Sequence, residues 1–437
     1  MSDLLAARSQ MAMSLAFHII FSVIGIGLPL LMVIAEWRWL RTGEATYLEL
    51  AKRWSKGAAI LFAVGAVSGT VLSFELGLLW PNFMHFAGPI FGMPFSLEGF
   101  AFFTEAIFLG IYLYAWNRVS RGAHLFAGII VAVSGVLSGI FVVIANAWMN
   151  SPTGFTMVGG KAIDVRPLAA MANDAAFPQT LHMTLAAYAA TGLAVAGVHA
   201  IQILRGHNSA FHRHALAVAL AVGAPAAILQ PLSGDISARH VARAQPAKLA
   251  ALEAHFVTQR GAPLHIGGWP DVDRGETRWA IKIPYGLSLL AFHDPNAEVT
   301  GLDAIPRDEW PPVPIVHIAF QIMVALGSYM ALVSVWTLWR WWRGRAAAAL
   351  ADDRLLLRAL ALATPMGFIA IEAGWTITEV GRQPWIVYGI LRTADAVTPM
   401  PGLVIPFLTF TLLYILLGII VVYMVQQQIV RAPESEH

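Results

Sequence analysis

Nine long apolar stretches divide the chain, and most of the polar residues lie between them. A helix needs roughly 20 consecutive, mostly apolar residues to cross the hydrocarbon core of a bilayer. The pattern therefore predicts an all-α integral membrane protein with about nine transmembrane helices. The stretches cover approximately residues 13–37, 55–79, 95–117, 124–148, 178–203, 215–233, 313–341, 356–377 and 402–425.

The connection between the sixth and seventh stretches is longer and more polar than the others, and it covers about residues 234–312. A connection of this length usually has a fold or a function of its own. We therefore divide the chain into three parts. Transmembrane helices 1–6 occupy residues 1–233, a long external loop occupies 234–312, and helices 7–9 with a short tail occupy 313–437.

The distribution of basic residues predicts the orientation. The loops after odd-numbered stretches are rich in Lys and Arg, as with Arg38, Arg41 and Lys52 in the first, whereas residues 81–94 contain none. Short cytoplasmic loops carry this excess of positive charge. We expect a multi-pass protein with an external N-terminus, an external long loop and a cytoplasmic C-terminus.

Composition narrows the chemistry. Only 12% of residues are charged, against about 25% in soluble domains, which argues against a soluble enzyme. The net charge of +2 gives no general basic surface for nucleic acid. The chain has no cysteine, which excludes disulfides, zinc thiolates and cysteine-ligated iron–sulfur clusters. A metal or haem must therefore be bound by His, Met, Glu or Asp.

Ionisable residues inside the apolar stretches are the first functional candidates, because a charge in lipid is costly unless it is paired or used. His18 could bind a haem or form a hydrogen bond to a neighbouring helix. Glu98 and Glu105 are seven residues apart and so lie on one helix face. Two stacked carboxyls are typical of a proton relay, and a structural hydrogen-bonding pair is the alternative.

Two further pairs have the chemistry of a haem site. His182 and Met323 are side chains of the types that together bind a low-spin haem, although the chain has 15 methionines and spacing alone does not select Met323. Glu379 is followed by Arg382, whose guanidinium could bind a cofactor propionate. An ordinary interfacial ion pair between these two residues is the alternative.

The stretch 374–385, Gly-Trp-Thr-Ile-Thr-Glu-Val-Gly-Arg-Gln-Pro-Trp, resembles the GWxxxExGRQPW signature of subunit I of the cytochrome bd family of quinol oxidases. Other segments that are similar to the family follow in the family's order along the whole chain. They surround His18, Glu98 with Glu105, Asn146, His182 and Met323.

The resemblance implies three haems. His182 and Met323 correspond to the axial ligands of the low-spin haem b558. His18 and Glu379 correspond to ligands of the two high-spin haems, b595 and haem d, without an assignment of which ligand holds which. The chain resembles the short-loop class, so a further b-type haem can stand in place of haem d. Trp375 and Arg382 correspond to residues that support the haems.

The resemblance also implies a proton path and a quinol site. Glu98, Glu105 and Ser138 correspond to residues on the path from the cytoplasm. Lys248 and Glu253 correspond to residues of the loop that binds ubiquinol or menaquinol; without the resemblance they would be predicted to be a solvated charged pair. One departure is Gln321, which stands where longer-loop relatives carry an arginine.

The function that follows is that of a terminal respiratory oxidase in the bacterial cytoplasmic (inner) membrane. It would oxidise quinol, reduce dioxygen to water and separate charge without a proton pump. The implied partners are a second membrane subunit, subunit II, and a small single-span subunit, with no nucleic acid. Two other classes stay open on the residues alone. One is a proton-coupled transporter that uses the intramembrane glutamates Glu75, Glu98 and Glu105, and the other is a membrane cytochrome that does not reduce oxygen.

Overall fold

A computed structural model describes residues 1–344 and 348–427. The predicted C-terminal tail, residues 430–437, lies outside them. The described part is mainly helical. Its α-helices, in chain order, are α1 Asp3–Thr42, α2 Ala45–Leu79, α3 Pro81–Tyr114, α4 Arg121–Asn150, α5 Pro167–Met171, α6 Ala176–Leu204, α7 Ala210–Ala244, α8 Pro246–Leu252, α9 Gly286–Phe292, α10 Val313–Gly344, α11 Ala348–Ala351, α12 Arg354–Ala363, α13 Met366–Val380, α14 Thr393–Ala396 and α15 Val404–Val425.

Within the described ranges, nine helical segments are long and apolar enough to cross a membrane, which confirms the predicted number. They are α1 to α4, α6, α7, α10, α15 and the segment Arg354–Val380 formed by α12 and α13. Several are longer than a bilayer requires. The 40 residues of α1 extend about 60 Å at 1.5 Å per residue, twice the hydrocarbon thickness.

The sixth spanning helix, α7, continues well beyond its apolar stretch. Hydropathy places its end near residue 233, but the helix runs to Ala244, and residue 234 lies inside it. The extension is polar and contains an i,i+4 ion pair between Asp235 and Arg239. Hydropathy does not detect such an extension, because a helix outside the hydrocarbon needs no apolar side chains. The first part of the predicted loop is therefore helical.

The eighth span is interrupted where the sequence predicts a single stretch. α12 ends at Ala363 and α13 begins at Met366, after Thr364 and Pro365. A proline has no backbone N–H to donate within a helix, so a break next to Pro365 is expected. The break separates α13 from α12, and α13 carries the first part of the signature, residues 374–380.

The spanning helices pack in two groups. α1 packs against α2 and α4, and α3 packs against α4. In the second group α6 packs against α7, α12 and α13, and α10 packs against α7 and α13. α1 and α4 also contact α6, which joins the groups. α6 and α7 approach closely: a Cβ built on Gly192 would lie 2.5 Å from the Cα of Gly223.

In the described ranges the connections contain ten strands of two or three residues. In chain order they are β1 Thr156–Val158, β2 Lys161–Ile163, β3 Gln259–Arg260, β4 Leu264–Ile266, β5 Trp269–Asp271, β6 Glu276–Arg278, β7 Ile281–Ile283, β8 Glu298–Val299, β9 Trp385–Val387 and β10 Leu391–Arg392. They form five antiparallel pairs, β1 with β2, β3 with β8, β4 with β7, β5 with β6 and β9 with β10. These local pairs do not change the all-α architecture.

The segment between α7 and α10 has a small core of its own. Ala262, Leu287 and Val299 are buried together with Ala242 of α7 and Leu249 of α8. A second cluster joins α8 to the spanning helices, because Ala250, Ala251 and Leu252 pack with residues of α10 and α13. The segment is therefore folded onto the ends of these helices.

Candidate functional site

His18 lies in α1 and faces α2. Its Nδ1 is 2.9 Å from the hydroxyl of Ser68, and its Nε2 is 2.9 Å from the hydroxyl of Ser22. A Cβ built on Gly69 of α2 would lie 2.9 Å from the imidazole Cε1. The glycine is thus what lets the ring approach this helix.

His182 lies in α6 and faces α7. Its Nδ1 is 2.9 Å from the hydroxyl of Ser233. The side-chain amide of Gln230 lies 3.1 Å from Nε2, and Gly234 of α7 presents no side chain toward the ring. An imidazole nitrogen that accepts a hydrogen bond carries no proton, and the same lone pair could bind a metal instead.

Met323 lies in α10 and faces α13. A Cβ built on Gly374 would lie 3.3 Å from the Met323 sulfur. The methionine packs against an apolar cluster that contains Ile377 of α13 and Ala251 and Leu252 of the loop helix α8. Helix α8 of the loop segment therefore packs against α10, the helix that carries Met323.

Two polar residues of α10 bind this loop. The Gln321 side chain accepts a hydrogen bond from the Gly267 amide at 2.9 Å and donates to the His265 carbonyl at 3.1 Å. His317, which is fully buried, lies with Nδ1 2.7 Å from the Leu252 carbonyl. The sequence predicts no role for His317 and marks Gln321 only as a departure from longer-loop relatives.

Glu379 lies at the end of α13 and is bonded by one residue of α4 and by one residue that follows α13. Arg382 donates a 2.5 Å hydrogen bond to Oε2, and Asn146 of α4 donates to Oε1. Arg382 is only 2% exposed, whereas the Glu379 side chain is 29% exposed. Among the described residues, its Nε and Nη1 have no hydrogen-bond partner.

The carboxyls of α3 lie against α4. Ser138 donates to Glu98 Oε1 at 3.4 Å. Glu105 is 6% exposed, and a Cβ built on Gly135 of α4 would lie 3.4 Å from both of its carboxyl oxygens. The structure thus places Glu98, Glu105 and Ser138 along one seam between α3 and α4.

Trp375 packs elsewhere, in the apolar cluster between α1, α6 and α13.

Lys248 and Glu253 are buried, each with about 4% of its surface exposed. The solvated pair that residue type alone predicts is therefore wrong. Lys248 Nζ donates to Asn150 Oδ1 at 2.7 Å, and Gln245 donates to the Asn150 carbonyl at 2.7 Å. The partners are more than 90 residues apart in sequence, so no local signal could identify their contact with Asn150.

Burial shifts the pKa values of both loop residues. Removal from water and, to a smaller extent, the nearby Arg382 charge lower the pKa of the Lys248 ammonium to about 7, and Glu379 opposes the shift. Burial raises the pKa of Glu253 to about 8. Its Oε2 has no hydrogen-bond partner within the described part of the chain. Both groups can therefore exchange a proton near neutral pH.

Two observations indicate that the residues present could bind haem groups. The donors are neutral imidazole, thioether and carboxylate, which are haem-ligand types, and glycines border His18, His182 and Met323. In addition, the unpartnered buried nitrogens of Arg382 suit an anionic group such as a haem propionate. His18 and Glu379 could hold high-spin haems, and His182 and Met323 could hold a low-spin one.

Comparison with known proteins finds similarity over nearly the whole chain. The family described as "Cytochrome bd terminal oxidase subunit I" matches residues 6–433. A Bacillus subtilis (strain 168) protein named "Putative cytochrome bd menaquinol oxidase subunit I" is 38% identical, covering 100% of this chain and 98% of that protein. The Escherichia coli (strain K12) protein named "Cytochrome bd-II ubiquinol oxidase subunit 1" is 28% identical, covering 98% of this chain and 96% of that protein.

A solved structure gives the same result. The structure of bd oxidase from Geobacillus thermodenitrificans superposes with a TM-score of 0.92 at 38% identity, covering 99% of each chain. Family match, sequence identity and fold thus agree with the motif at 374–385. The chain belongs to the cytochrome bd terminal oxidase subunit I family.

Proposed function

We propose that this chain is the haem-binding subunit of a quinol:dioxygen oxidoreductase of the bacterial cytoplasmic membrane. The observation that carries the proposal is the donor set: His18, His182, Met323 and Glu379 lie in spanning helices, and glycines border the first three. In the overall reaction two quinols are oxidised to quinones with release of four protons, and one dioxygen is reduced to two waters with uptake of four protons.

His182 and Met323 would hold the low-spin haem b558. His18 and Glu379 would hold the two high-spin haems, b595 and either haem d or a further b-type haem. When bound, the haems supply one-electron transfer and the site of dioxygen reduction. Arg382, buried beside Glu379 with two nitrogens that have no partner among the described residues, would bind a propionate.

Lys248 and Glu253 would bind ubiquinol or menaquinol in the loop between α7 and α10. Glu253 accepts a quinol hydroxyl proton in its carboxylate form, which becomes populated as pH approaches its pKa of about 8. Lys248, held by Asn150, donates a hydrogen bond to the other quinol oxygen. Packing of α8 on the Met323 cluster supports quinol oxidation next to the low-spin haem.

Protons for water formation would come from the opposite side of the membrane. The basic ends of the spanning helices, which carry residues such as Lys52 and Arg121, are cytoplasmic by the positive-inside rule. The seam formed by Glu105, Glu98 and Ser138 leads from there toward Glu379. Release of quinol protons on one side and uptake on the other separates charge without a pump.

Subunit II and a small single-span subunit are the proposed partners. Large apolar side chains on α15, such as Ile405, Leu412 and Ile419, are exposed. Such a face requires lipid or another membrane protein. Copurification with an affinity-tagged chain tests for both subunits.

The test of the function is spectroscopic and kinetic. The complex purified from membranes should show reduced-minus-oxidised haem bands, three haems by pyridine haemochrome analysis, and oxygen consumption with quinol as the sole donor. A transporter would show no haem bands. A cytochrome that does not reduce oxygen would show haem bands but no oxygen uptake.

A further inference from the structure

A buried polar cluster that the proposed mechanism does not use lies at the basic end of the bundle. It consists of Glu36 of α1, His124 of α4 and Tyr112 of α3, all at most 2% exposed. His124 Nδ1 is 2.8 Å from Glu36 Oε1, and His124 Nε2 is 3.0 Å from the Tyr112 carbonyl oxygen. The sequence singles out none of the three residues.

The geometry of the cluster fixes where a proton lies. A carbonyl oxygen only accepts, so His124 Nε2 must carry a proton and donate it to Tyr112. The short contact on the other side of the ring then requires one proton between Nδ1 and Oε1. Either His124 is a cation facing a carboxylate, or Glu36 is a carboxylic acid that donates to neutral His124. In both cases the pair stores one proton.

The same cluster contains two more buried polar atoms that could exchange a proton. Glu36 Oε2 and the Tyr112 hydroxyl are buried and, within the described residues, have no hydrogen-bond partner of normal geometry, although the hydroxyl lies near the Glu36 carboxyl. Buried polar atoms left in this way are uncommon. They supply an acceptor and a donor for water or for a proton in transit.

Tyr112 is in line with the carboxyls already described. Tyr112, Glu105 and Glu98 follow one another at intervals of seven residues on α3, which places them on one helix face with about 10.5 Å between levels. α4 leaves room along this face: a Cβ on Gly128 would lie 2.7 Å from the Tyr112 ring, and one on Gly135 would lie 3.4 Å from the Glu105 carboxyl.

A cavity connects the cluster to the basic end. It has a volume of about 160 Å³ and is lined by buried Glu36 and His124 and by exposed Lys52, Asn117 and Arg121. This volume holds several water molecules. Lys52 stacks over the ring of Trp116 and Arg121 over the ring of Trp39, so these two cations line the rim without an ion pair to Glu36.

We propose that Glu36 and His124 form the site that takes up protons from this cavity and transfers them, past Tyr112, to Glu105. The proposal rests on the proposed function and extends its proton path to the surface. Each proton that the pair receives from solvent on Glu36 is matched by one released toward Glu105. Only O–H and N–H bonds form and break, and no electron is transferred.

The experiment compares Glu36→Gln with Glu49→Gln in the complete oxidase. Glu49 is a carboxyl at the same end of the molecule, and it forms an i,i+4 ion pair with Arg53 rather than joining the cluster. Quinol-driven oxygen consumption per haem is measured across pH, and proton uptake from the basic side is measured with a pH dye in proteoliposomes. The reduced-minus-oxidised spectrum reports assembly.

We expect Glu36→Gln to keep the haem spectrum and to lose roughly tenfold or more of turnover and proton uptake. The loss should grow as pH rises, because solvent supplies fewer protons. Glu49→Gln should match the unmodified oxidase. Turnover per haem within about twofold of the unmodified oxidase at every pH would overturn the proposal. A cluster that only holds helices together would lower haem content and thermal stability instead.

If Glu36→Gln does not assemble, a second variant tests the proposal. Tyr112→Phe keeps the ring against Gly128 and removes only the hydroxyl, so it should assemble and slow proton uptake, and unchanged uptake would contradict the transfer step. If the unmodified oxidase itself consumed no oxygen with quinol, the proposed function would fail, which is distinct from a failure confined to the Glu36 variants.

Discussion

At the scale of single residues, burial decides what the charged side chains of the loop can do. Lys248 and Glu253 would be ordinary solvated groups on an exposed helix, yet both are almost completely removed from water. Their pKa values move toward each other, to about 7 and about 8. Groups that change protonation near the working pH are suited to proton exchange with a substrate.

The pH dependence of quinol oxidation follows from Glu253. Because burial raises its pKa to about 8, the carboxyl is mostly protonated at pH 7, and its basic form increases as pH rises through 8. kcat/KM for quinol should therefore increase over this interval. Glu253→Gln should remove the increase and lower kcat/KM roughly 100-fold. Glu298→Gln, a change to an exposed carboxyl of the same loop, is the control, and a retained increase in Glu253→Gln would refute the assignment.

Glu379 gives a second prediction at this scale. Glu379→Ala should abolish oxygen reduction while the low-spin haem signal stays, because His182 and Met323 lie on other helices. Reduced-minus-oxidised spectra and oxygen consumption measure the two effects separately. Glu309→Ala, at a short helical turn outside the spans, should change neither. Loss of both haem signals in Glu379→Ala would count against the separate assignment of the ligands.

The motif residues could be located from sequence, but their surroundings could not. The signature that contains Glu379 and Arg382 is contiguous, so it is readable directly. Asn146, which donates to Glu379 from α4, and Asn150, which holds Lys248, come from distant parts of the chain. Such partners depend on helix packing, which single-sequence periodicity does not specify.

At the scale of helices, close contacts position the donors. Gly192 of α6 meets Gly223 of α7 with no room for a side chain, and the same two helices carry His182 and its partner Ser233. Gly192→Ala should destabilise the protein by about 1–3 kcal/mol through overpacking. Gly110→Ala, where a Cβ meets nothing within 4 Å, should be neutral or stabilising. Thermal unfolding in detergent compares them, and equal melting temperatures would disprove the close contact.

The loop attachment to α10 can be tested through Gln321. Its side chain bonds both the Gly267 amide and the His265 carbonyl. Gln321→Ala should release this part of the loop, and we expect cleavage near Gly267 and Gly268 by added protease to become several-fold faster. Lys282→Ala, an exposed change in the same loop, should leave cleavage unchanged. If both variants were cleaved at the original rate, the two hydrogen bonds would not hold the loop.

The presence of the spanning helices was predictable from the sequence, and the residues at which they end were less so. Nine apolar stretches correspond to the nine spanning segments found in the described part of the chain, because lipid requires long runs of apolar residues. Outside the hydrocarbon this requirement disappears, so α7 continues to Ala244 without a hydropathy signal. The strands of the loop are two or three residues long, too short for an alternating pattern to be recognised.

At the scale of the whole molecule, the orientation is open to a direct test. The chain has no cysteine, so a single introduced cysteine can be labelled without background. Lys161→Cys lies between α4 and α6, and Val119→Cys lies at the basic end between α3 and α4, both at exposed positions. A membrane-impermeant maleimide added to intact cells should label the first and not the second, and the reverse pattern would invert the proposed orientation.

One helix serves both groups of donors. α13 presents Gly374 to the sulfur of Met323 and, five residues later, Glu379 to Asn146 and Arg382. Five residues of α-helix extend about 7.5 Å, and a continuous ladder of backbone hydrogen bonds holds this length. Gly374 and Glu379 therefore keep a fixed separation within one rigid helix, whereas Met323 reaches Gly374 from α10. A shift of α13 along its axis should therefore change the surroundings of Met323 and the position of Glu379 together, and under the proposed function it would disturb both haem sites at once.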